Sequence, residues 1–198
     1  EGAVLTAVAD AFPDAASTLA AAHGAQVASI DEILASSDID AVFITTPTDM
    51  HADLIIRSAQ AGKAIFCEKP VDLDVARVNE CLDVVAATKS TLMVAFNRRF
   101  DPNFKAVRDR IDAGAIGEVE MVVITSRDPG PPPLEYMARS GGLLRDMTIH
   151  DFDMARFLLG EEPTEVFAVG SVLVDPAIAG VPDIDSAAVT LCTASGKM

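Results

Sequence analysis

The chain has 198 residues, 50% of them apolar, and its 15 basic and 30 acidic side chains give a net charge of −15. This length suffices for one large domain or two small ones with a substantial core. The acidic surface repels phosphate backbones and anionic membranes, and no basic cluster offsets it. We therefore expect neither nucleic acid nor a membrane as a partner.

The cysteines and the ends of the chain indicate a cellular context. Cys67, Cys81 and Cys192 are widely spaced and form no Cys-x-x-Cys pair, which favours free thiols in the cytoplasm over disulfides or a zinc site. No apolar run reaches membrane-spanning length, and no signal peptide is visible. The chain starts at Glu1 without Met and stops just after a strand-like segment, so we expect a piece of a longer protein.

The first half of the chain alternates strand and helix signals, the pattern of a parallel α/β sheet. Strands are predicted at residues 4–9, 41–45, 64–67 and 92–96. Helix signals lie between Pro13 and Gly24, over residues 50–61, after Asp72 or Asp74 as the N-cap, and from Pro102 to Gly114. The signals up to residue 96 predict a Rossmann-type domain over residues 1–98.

The pattern changes after Gly117. Predicted strands at residues 119–126, 166–174 and 187–192 follow one another, with one inserted helix over residues 143–159. Residues 127–140 contain four prolines and are predicted to form a loop. This order favours a second, α+β domain over residues 99–198.

Asp10 follows the first strand signal. An acidic residue at this point of a dinucleotide-binding fold accepts hydrogen bonds from the adenosine ribose, and its charge favours NAD over NADP. The alternative is an ordinary aspartate that caps the next helix. No Gly-rich phosphate turn precedes Asp10, so we expect the first strand and this turn to be missing.

Polar residues follow the next two strands. Thr46-Pro47 and His51 come after the strand at residues 41–45, and Glu68-Lys69 after the one at 64–67. The carboxyl ends of parallel strands form the crevice in which open α/β sheets bind ligands. The Lys69 ammonium could hold a substrate hydroxyl there. The alternatives are a surface lysine and, for His51, a helix-start residue.

Asp146 and His150 are four residues apart in a predicted helix, which places them on one face. The imidazole can accept a hydroxyl proton, and the carboxylate can orient it. The alternative is a helix-start aspartate and a packed histidine. Asp151 and Asp153 are predicted to be surface charges or local hydrogen-bonders. No metal-binding spacing is present, so no metal is expected.

Taken together, these motifs resemble the Gfo/Idh/MocA oxidoreductase family over nearly the whole chain. The matching segments are Val8-Ala9-Asp10, Thr46-Pro47-Thr48 with His51, Glu68-Lys69-Pro70, residues 97–101 and residues 141–151. The Glu-Lys-Pro segment and the Asp–His helix are the most specific of them. Residues 126–129 and 145–157 look most like members that oxidise inositol.

The resemblance implies a fold and an activity. The family has an N-terminal Rossmann domain and a C-terminal domain with a large, mostly antiparallel sheet, which often forms a dimer or tetramer interface. Both domains are expected to be incomplete here, because the first strand, the phosphate turn and the final strands are not recognised. The implied reaction is the NAD-dependent oxidation of myo-inositol, a small polyol, to the 2-keto inosose.

The resemblance also implies residue roles. Lys69 corresponds to the catalytic lysine, Asp146 to the supporting carboxylate and His150 to the general base. The implied cofactor contacts are Asp10, Thr46, Pro47, His51, Glu68 and Lys69. Asn97 and Arg98 occupy a cofactor- and substrate-adjacent segment, although relatives often carry Met where Asn97 stands.

Two other functions fit the same residues. One is a dehydrogenase of another polyol, an aldose, scyllo-inositol or a dihydrodiol, because the three catalytic groups act on any carbinol. The other is a dinucleotide-binding sensor without turnover. A polyol panel assayed for NADH formation separates the three functions.

Overall fold

The computed structural model describes residues 2–198, and Glu1, the first residue of the predicted first domain, lies outside them. The chain divides after Val94 into two compact units, shortly before the predicted boundary after Arg98. Among the described residues, no helix is long and apolar enough to cross a membrane.

The first unit contains short parallel strands. They are β1 (Ala7–Val8), β2 (Gln26–Val27), β3 (Ala41–Ile44), β4 (Ala64–Cys67) and β5 (Leu92–Val94). β1 pairs with β2, and β4 lies between β3 and β5 in a second sheet. The predicted parallel sheet is confirmed, although β1 and β5 are shorter than predicted.

Four helices connect these strands: α1 (Pro13–His23), α2 (Ile30–Ala35), α3 (His51–Gln60) and α4 (Val75–Thr88). Gly24 ends α1 in the left-handed conformation, and the Asp74 carboxylate caps α4 by accepting the Ala76 N–H at 2.9 Å. Both ends were predicted.

The sequence interpretation missed β2 and α2. Ser29 and Glu32 form a capping box at the start of α2, in which each side chain accepts the other residue's main-chain N–H. A Ser-x-x-Glu pattern is a recognisable helix-start signal. The helix could therefore have been found from the sequence.

The core of the first unit lies around α3. Ala52, Ile55 and Ala59 recur at helical spacing and are buried on one face of α3. They belong to the same cluster as Ile65 of β4 and Cys81 of α4. This packing fixes the start of α3 close to the carboxyl ends of β3 and β4.

The second unit contains three α-helices and two strands: α5 (Pro102–Asp112), α6 (Leu134–Ser140), α7 (Ile149–Leu159), β6 (Pro163–Ser171) and β7 (Ser186–Thr193). β6 and β7 pair antiparallel, which agrees with the predicted α+β domain. A short 3₁₀ helix, Pro176–Gly180, lies in the connection between them.

Two predictions for the second unit are wrong. Residues 119–126 form no strand, because their main chain has only an isolated pairing, in which Val122 donates to Met198 at 2.9 Å and Met198 donates to Glu120 at 3.1 Å. The predicted loop at residues 127–140 contains α6. Pro133 stands at the N-cap of α6, and proline is compatible with a helix start although it breaks a helix interior.

Candidate functional site

The loops after β3 and β4 lie side by side. Ile44 pairs with Cys67 in the parallel register, and the Glu68 N–H extends the pairing by donating to the Ile44 carbonyl at 2.9 Å. Thr46 lies two positions after Ile44, and Lys69 lies two positions after Cys67. The structure therefore places these two predicted site residues on neighbouring loops at one edge of the sheet.

Thr46 offers a polar group to a ligand. Its hydroxyl Oγ1 is buried and has no hydrogen-bond partner among residues 2–198. Buried hydroxyls in native proteins are nearly always hydrogen-bonded. An unsatisfied donor and acceptor at a strand end therefore fits a polar ligand such as the ribose or amide of NAD. Pro47 beside it is exposed, and Glu68 and Lys69 are half-buried.

His51 lies below these loops at the start of α3. The side chain is 1% exposed. Its Nδ1 lies 2.7 Å from the Pro70 carbonyl oxygen and its Nε2 lies 2.7 Å from the Thr46 carbonyl oxygen. Both ring nitrogens thus contact the main chain, so the predicted cofactor role of His51 could only be indirect.

Asp10 is exposed and follows Val8, the last residue of β1, by two positions. Its Oδ1 accepts the Phe12 N–H at 2.8 Å, and Phe12 is the N-cap residue of α1. This bond closes a turn ahead of α1, but the helix has no side-chain cap at Phe12, so the alternative of a helix-capping aspartate is not supported. Its contact with a cofactor ribose stays a prediction.

Asp146 lies in a five-residue π-helical turn, Leu143–Met147, and is 7% exposed. Tyr136 of α6 is its neighbour. The pKa of Tyr136 is raised, first by burial and then by its hydrogen bond to Asp146 and the charge of that carboxylate. The sequence interpretation missed Tyr136, because it assigned residues 127–140 to a loop.

The single helix predicted over residues 143–159 is wrong. The main-chain N–H and the hydroxyl of Thr148 both donate to the Leu143 carbonyl, at 2.8 Å and 3.0 Å, which closes a π-type turn. α7 begins only after Thr148. Asp146 and His150 therefore lie on either side of an irregular junction, and the helical four-residue spacing does not describe their relation.

Asp183 fixes the start of this junction. Its carboxylate oxygens accept the Leu143 N–H at 3.0 Å and 3.2 Å. Gly142 has φ 71° and ψ −165°, and a Cβ at this position would lie 2.3 Å from the Asp183 Oδ1. Only glycine adopts this conformation readily. The Gly141-Gly142 pair therefore lets Asp183 approach the turn that carries Asp146.

Asp151 and Asp153, next to His150, are not surface charges. Arg98 forms an ion pair with Asp151, which also accepts the Ser126 hydroxyl at 2.6 Å. Arg99 binds the carboxylate of Asp153 with two hydrogen bonds of 2.6 Å and 2.8 Å, and Asp153 is 3% exposed. The prediction of surface charges or local hydrogen-bonders is wrong, because the arginines come from a distant segment.

Arginine side chains also cover Phe157 of α7. The guanidinium carbons of Arg99 and Arg108 lie 5.1 Å and 5.8 Å from its ring centre, within the range of cation–π attraction. Arg108 also donates to the Phe157 carbonyl at 2.7 Å. Together with the two ion pairs, these contacts hold α7, and with it His150, against the segment that contains the predicted site residues Asn97 and Arg98.

The chemistry available in each unit is that of proton transfer. Among the described residues, no group of three or more His, Cys, Asp or Glu side chains could hold a metal ion. The first unit supplies an ammonium, Lys69, and the second an imidazole and a carboxylate, His150 and Asp146. An amine donor and an imidazole base are groups that can act on a hydroxyl.

Two family models cover most of the chain. A model described as an oxidoreductase family with an NAD-binding Rossmann fold, GFO_IDH_MocA, matches residues 1–96. A model of the GFO/IDH/MocA C-terminal domain matches residues 104–198. These matches agree with the resemblance predicted from the sequence.

Curated relatives and solved structures agree with both models. Inositol 2-dehydrogenase of Rhizobium meliloti is 67% identical over 98% of this chain and 58% of its own length. Myo-inositol 2-dehydrogenase of Thermotoga maritima is 43% identical over 100% of this chain and 60% of its own. The crystal structure of scyllo-inositol dehydrogenase from Lactobacillus casei with bound NAD(H) and scyllo-inositol is 29% identical, has a TM-score of 0.85, and is matched over 98% of this chain and 59% of its own. The chain thus spans less than two thirds of the length of these proteins.

Proposed function

We propose that this chain, which belongs to the Gfo/Idh/MocA oxidoreductase family, carries the catalytic residues of an NAD-dependent inositol 2-dehydrogenase. The observation that carries the proposal is the 67% identity, over 98% of the chain, to inositol 2-dehydrogenase of Rhizobium meliloti. The reaction converts the carbinol of myo-inositol into the ketone of the 2-keto inosose.

The first unit would hold the cofactor at the carboxyl ends of its strands. The unsatisfied Thr46 hydroxyl supports this assignment, together with Pro47, Glu68 and Lys69 on the adjacent loops. Asp10 at the end of β1 is proposed to bind the adenosine ribose. When bound, NAD supplies the hydride acceptor.

Side chains of this chain are proposed to accept and stabilise the proton that leaves the substrate hydroxyl. His150 accepts the hydroxyl proton, and Asp146 supports the resulting imidazolium. Lys69 donates a hydrogen bond to the oxygen as it becomes negatively charged. Asn97 and Arg98 are proposed to lie near the substrate, with Arg98 oriented by its ion pair to Asp151.

The first test is a pair of histidine substitutions. In His150→Ala we expect kcat to fall roughly 100-fold or more, since general-base help is worth about 10²–10⁴-fold, while the Kd for NAD stays unchanged. His23→Ala is the matched control, because His23 is exposed at the end of α1. Turnover in His150→Ala equal to that of the control would reject the assignment.

The second test concerns the substrate. A relative at 41% identity is a scyllo-inositol 2-dehydrogenase, so scyllo-inositol is the second candidate. NADH formation is measured with myo-inositol, scyllo-inositol, an aldose and a dihydrodiol at matched concentrations. We expect the highest kcat/KM with myo-inositol. Tight NAD binding without oxidation of any polyol would instead favour the sensor function.

We propose that the protein acts in the cytoplasm as a homo-oligomer, a dimer or a tetramer, formed through its C-terminal sheet. Val166, Phe167 and Val169 on β6 are 69%, 68% and 54% exposed. Phe167 and Val169 are two positions apart and share one face of β6, and exposed apolar side chains on one sheet face support an interface with another copy. Light scattering after size-exclusion chromatography measures the subunit number, and a monomer would contradict the proposal.

A further inference from the structure

His51 joins two loops through their main chains. Its Nδ1 contacts the carbonyl oxygen of Pro70, directly after Lys69, and its Nε2 contacts the carbonyl oxygen of Thr46, directly before Pro47. Both contacts measure 2.7 Å. The His51 side chain is 1% exposed, so the ring itself is shielded from water.

Each carbonyl can be bound only by a hydrogen that the ring donates, because a carbonyl oxygen accepts hydrogen bonds and cannot donate them. A neutral imidazole has a single N–H, and the tautomer decides which of the two carbonyls receives it. In either tautomer the two ring nitrogens lie within hydrogen-bond distance of both loops.

The loops contain few donors of their own for this purpose. Pro47 and Pro70 lack an N–H, so each loop has one fewer main-chain group that could satisfy a neighbouring carbonyl. His51 belongs instead to α3, where Ala52 and Ile55 are buried in the core. A side chain from a packed helix thus lies between the two loops and contacts a carbonyl of each.

We propose that His51 is a positioning residue that sets the distance between the Thr46-Pro47 loop and the Glu68-Lys69-Pro70 loop. It does not contact the cofactor. It fixes the carbonyls next to Thr46 and Lys69, and therefore the place from which the Thr46 hydroxyl and the Lys69 ammonium reach their ligands. The effect on catalysis rests on the proposed function.

The contact between the ring and the loops is tested on the unmodified full chain. The chain has three histidines, so in protein labelled with ¹⁵N-histidine the His51 signals are assigned by their loss in His51→Gln. We expect the ring N–H of the buried His51 to exchange slowly with solvent and that of the exposed His23 to exchange fast. Equally fast exchange at both rings would overturn the proposal.

The positioning role is tested by two substitutions and a control. His51→Phe keeps a ring but removes both ring nitrogens, and His51→Gln keeps one amide donor group. We expect the Kd for NAD to rise roughly tenfold in His51→Phe, the size of effect expected for a lost hydrogen bond to a buried group, and to rise less in His51→Gln. His23→Gln, an exposed histidine, should leave it unchanged.

These measurements separate positioning from general stability. Kd and KM for NAD should rise in the order wild type, His51→Gln, His51→Phe. We expect this order even if urea unfolding shows that both variants are fully folded. An NAD affinity within twofold of wild type in a folded His51→Phe protein would overturn the proposal. If His51→Phe does not fold, His51→Gln and the wild-type ring signals decide it. If the wild type oxidises no inositol, the proposed function is rejected, and the ring signals and NAD affinity still decide the role of His51.

Discussion

The predicted site residues of the two units are held by different means. In the first unit, Thr46 and Lys69 follow paired parallel strands, and the buried His51 ring contacts a main-chain carbonyl of each loop. In the second unit, Asp146 lies in a π-helical turn, and the helix of His150 is fixed by arginine–aspartate pairs. Strand pairing and one buried histidine position the first pair, whereas a π-helical turn and side-chain ion pairs position the second.

This difference predicts how each region responds to substitution. Strand register is shared among many main-chain hydrogen bonds, so a single surface side chain contributes little to it. A buried ion pair depends on two side chains, and removal of one leaves the other charged and without its partner. We therefore expect single substitutions to have larger effects in the second unit.

The largest effect is expected for Arg99→Ala. It would leave Asp153, which is 3% exposed, without its two hydrogen bonds from Arg99. Removing one partner of a buried pair costs about 3–5 kcal/mol, and the partial exposure of Arg99 lowers our expectation to about 3 kcal/mol. The free energy of unfolding in urea and hydrogen exchange of the α7 amides measure it.

Arg156→Ala is the matched control for this substitution. Arg156 binds Glu162 with two hydrogen bonds of 2.6 Å, the same bidentate geometry as the Arg99–Asp153 pair, but on the surface. Exposed pairs contribute little to stability. Equal losses in the two variants would mean that burial of the pair does not distinguish the regions.

Gly142→Ala should have the next largest effect. The new Cβ would lie 2.3 Å from the Asp183 carboxylate, in a conformation that L-residues avoid. We expect a loss of about 2 kcal/mol in the free energy of unfolding, together with lower turnover, because the turn that carries Asp146 must shift.

Gly24→Ala is the control for Gly142→Ala in the first unit. Gly24 has φ 66°, and no atom lies within 4 Å of a Cβ built there. We expect a loss of about 1 kcal/mol from backbone strain alone, with no change in kcat/KM. If the Gly142→Ala variant has the same free energy of unfolding and the same kcat/KM as Gly24→Ala, the Asp183 contact does not position the site.

Asp74→Ala should have a smaller effect, because it removes one cap from regular structure. The Asp74 carboxylate accepts the Ala76 N–H at 2.9 Å, and loss of such a cap costs about 1 kcal/mol. Asp83→Ala is the control, since Asp83 is exposed within the same helix. Urea unfolding compares them, and an equal change in both would show that the cap does not stabilise α4.

The smallest effect at neutral pH concerns Cys67. Burial, followed by the charge of Glu68, raises the pKa of its thiol from 9.0 to about 12. The folded state therefore keeps this proton longer than the unfolded state. The stability from this difference is complete below the unfolded pKa and is lost as pH rises from 9.0 towards about 12.

We therefore expect the urea concentration at half-unfolding to be lower at about pH 10 than at about pH 8. Cys67→Ala should remove part of this fall. Cys192→Ala should leave it, because Cys192 is only half-buried and belongs to the second unit. The same slope in wild type and Cys67→Ala would contradict the assignment.

The sequence predicts the first unit better than the second for a physical reason. Strands β3 and β4 are short apolar runs followed by proline and charged residues, and these signals are local. The start of α1 at Pro13 and its end at Gly24 are local signals as well. The α2 capping box was equally readable from the sequence.

The second unit depends on contacts between distant residues. The turn at residues 143–147 forms with Gly142 close to Asp183, which follows it by some 40 positions, and Arg99 meets Asp153 across a similar separation. The helical spacing of apolar residues does not predict either contact, because it depends only on neighbouring positions in the sequence. The types of the site residues could therefore be predicted from motifs, whereas the break between Asp146 and His150 could not.

The hydrogen bond between Tyr136 and Asp146 has a practical consequence for spectroscopy. The chain contains no tryptophan and a single tyrosine, so its intrinsic ultraviolet emission comes from one ring beside one carboxylate. Carboxylate acceptors quench phenol emission, and a molecule that displaces Asp146 would restore it. The natural sequence thus contains its own optical reporter of events at this aspartate, without any added label.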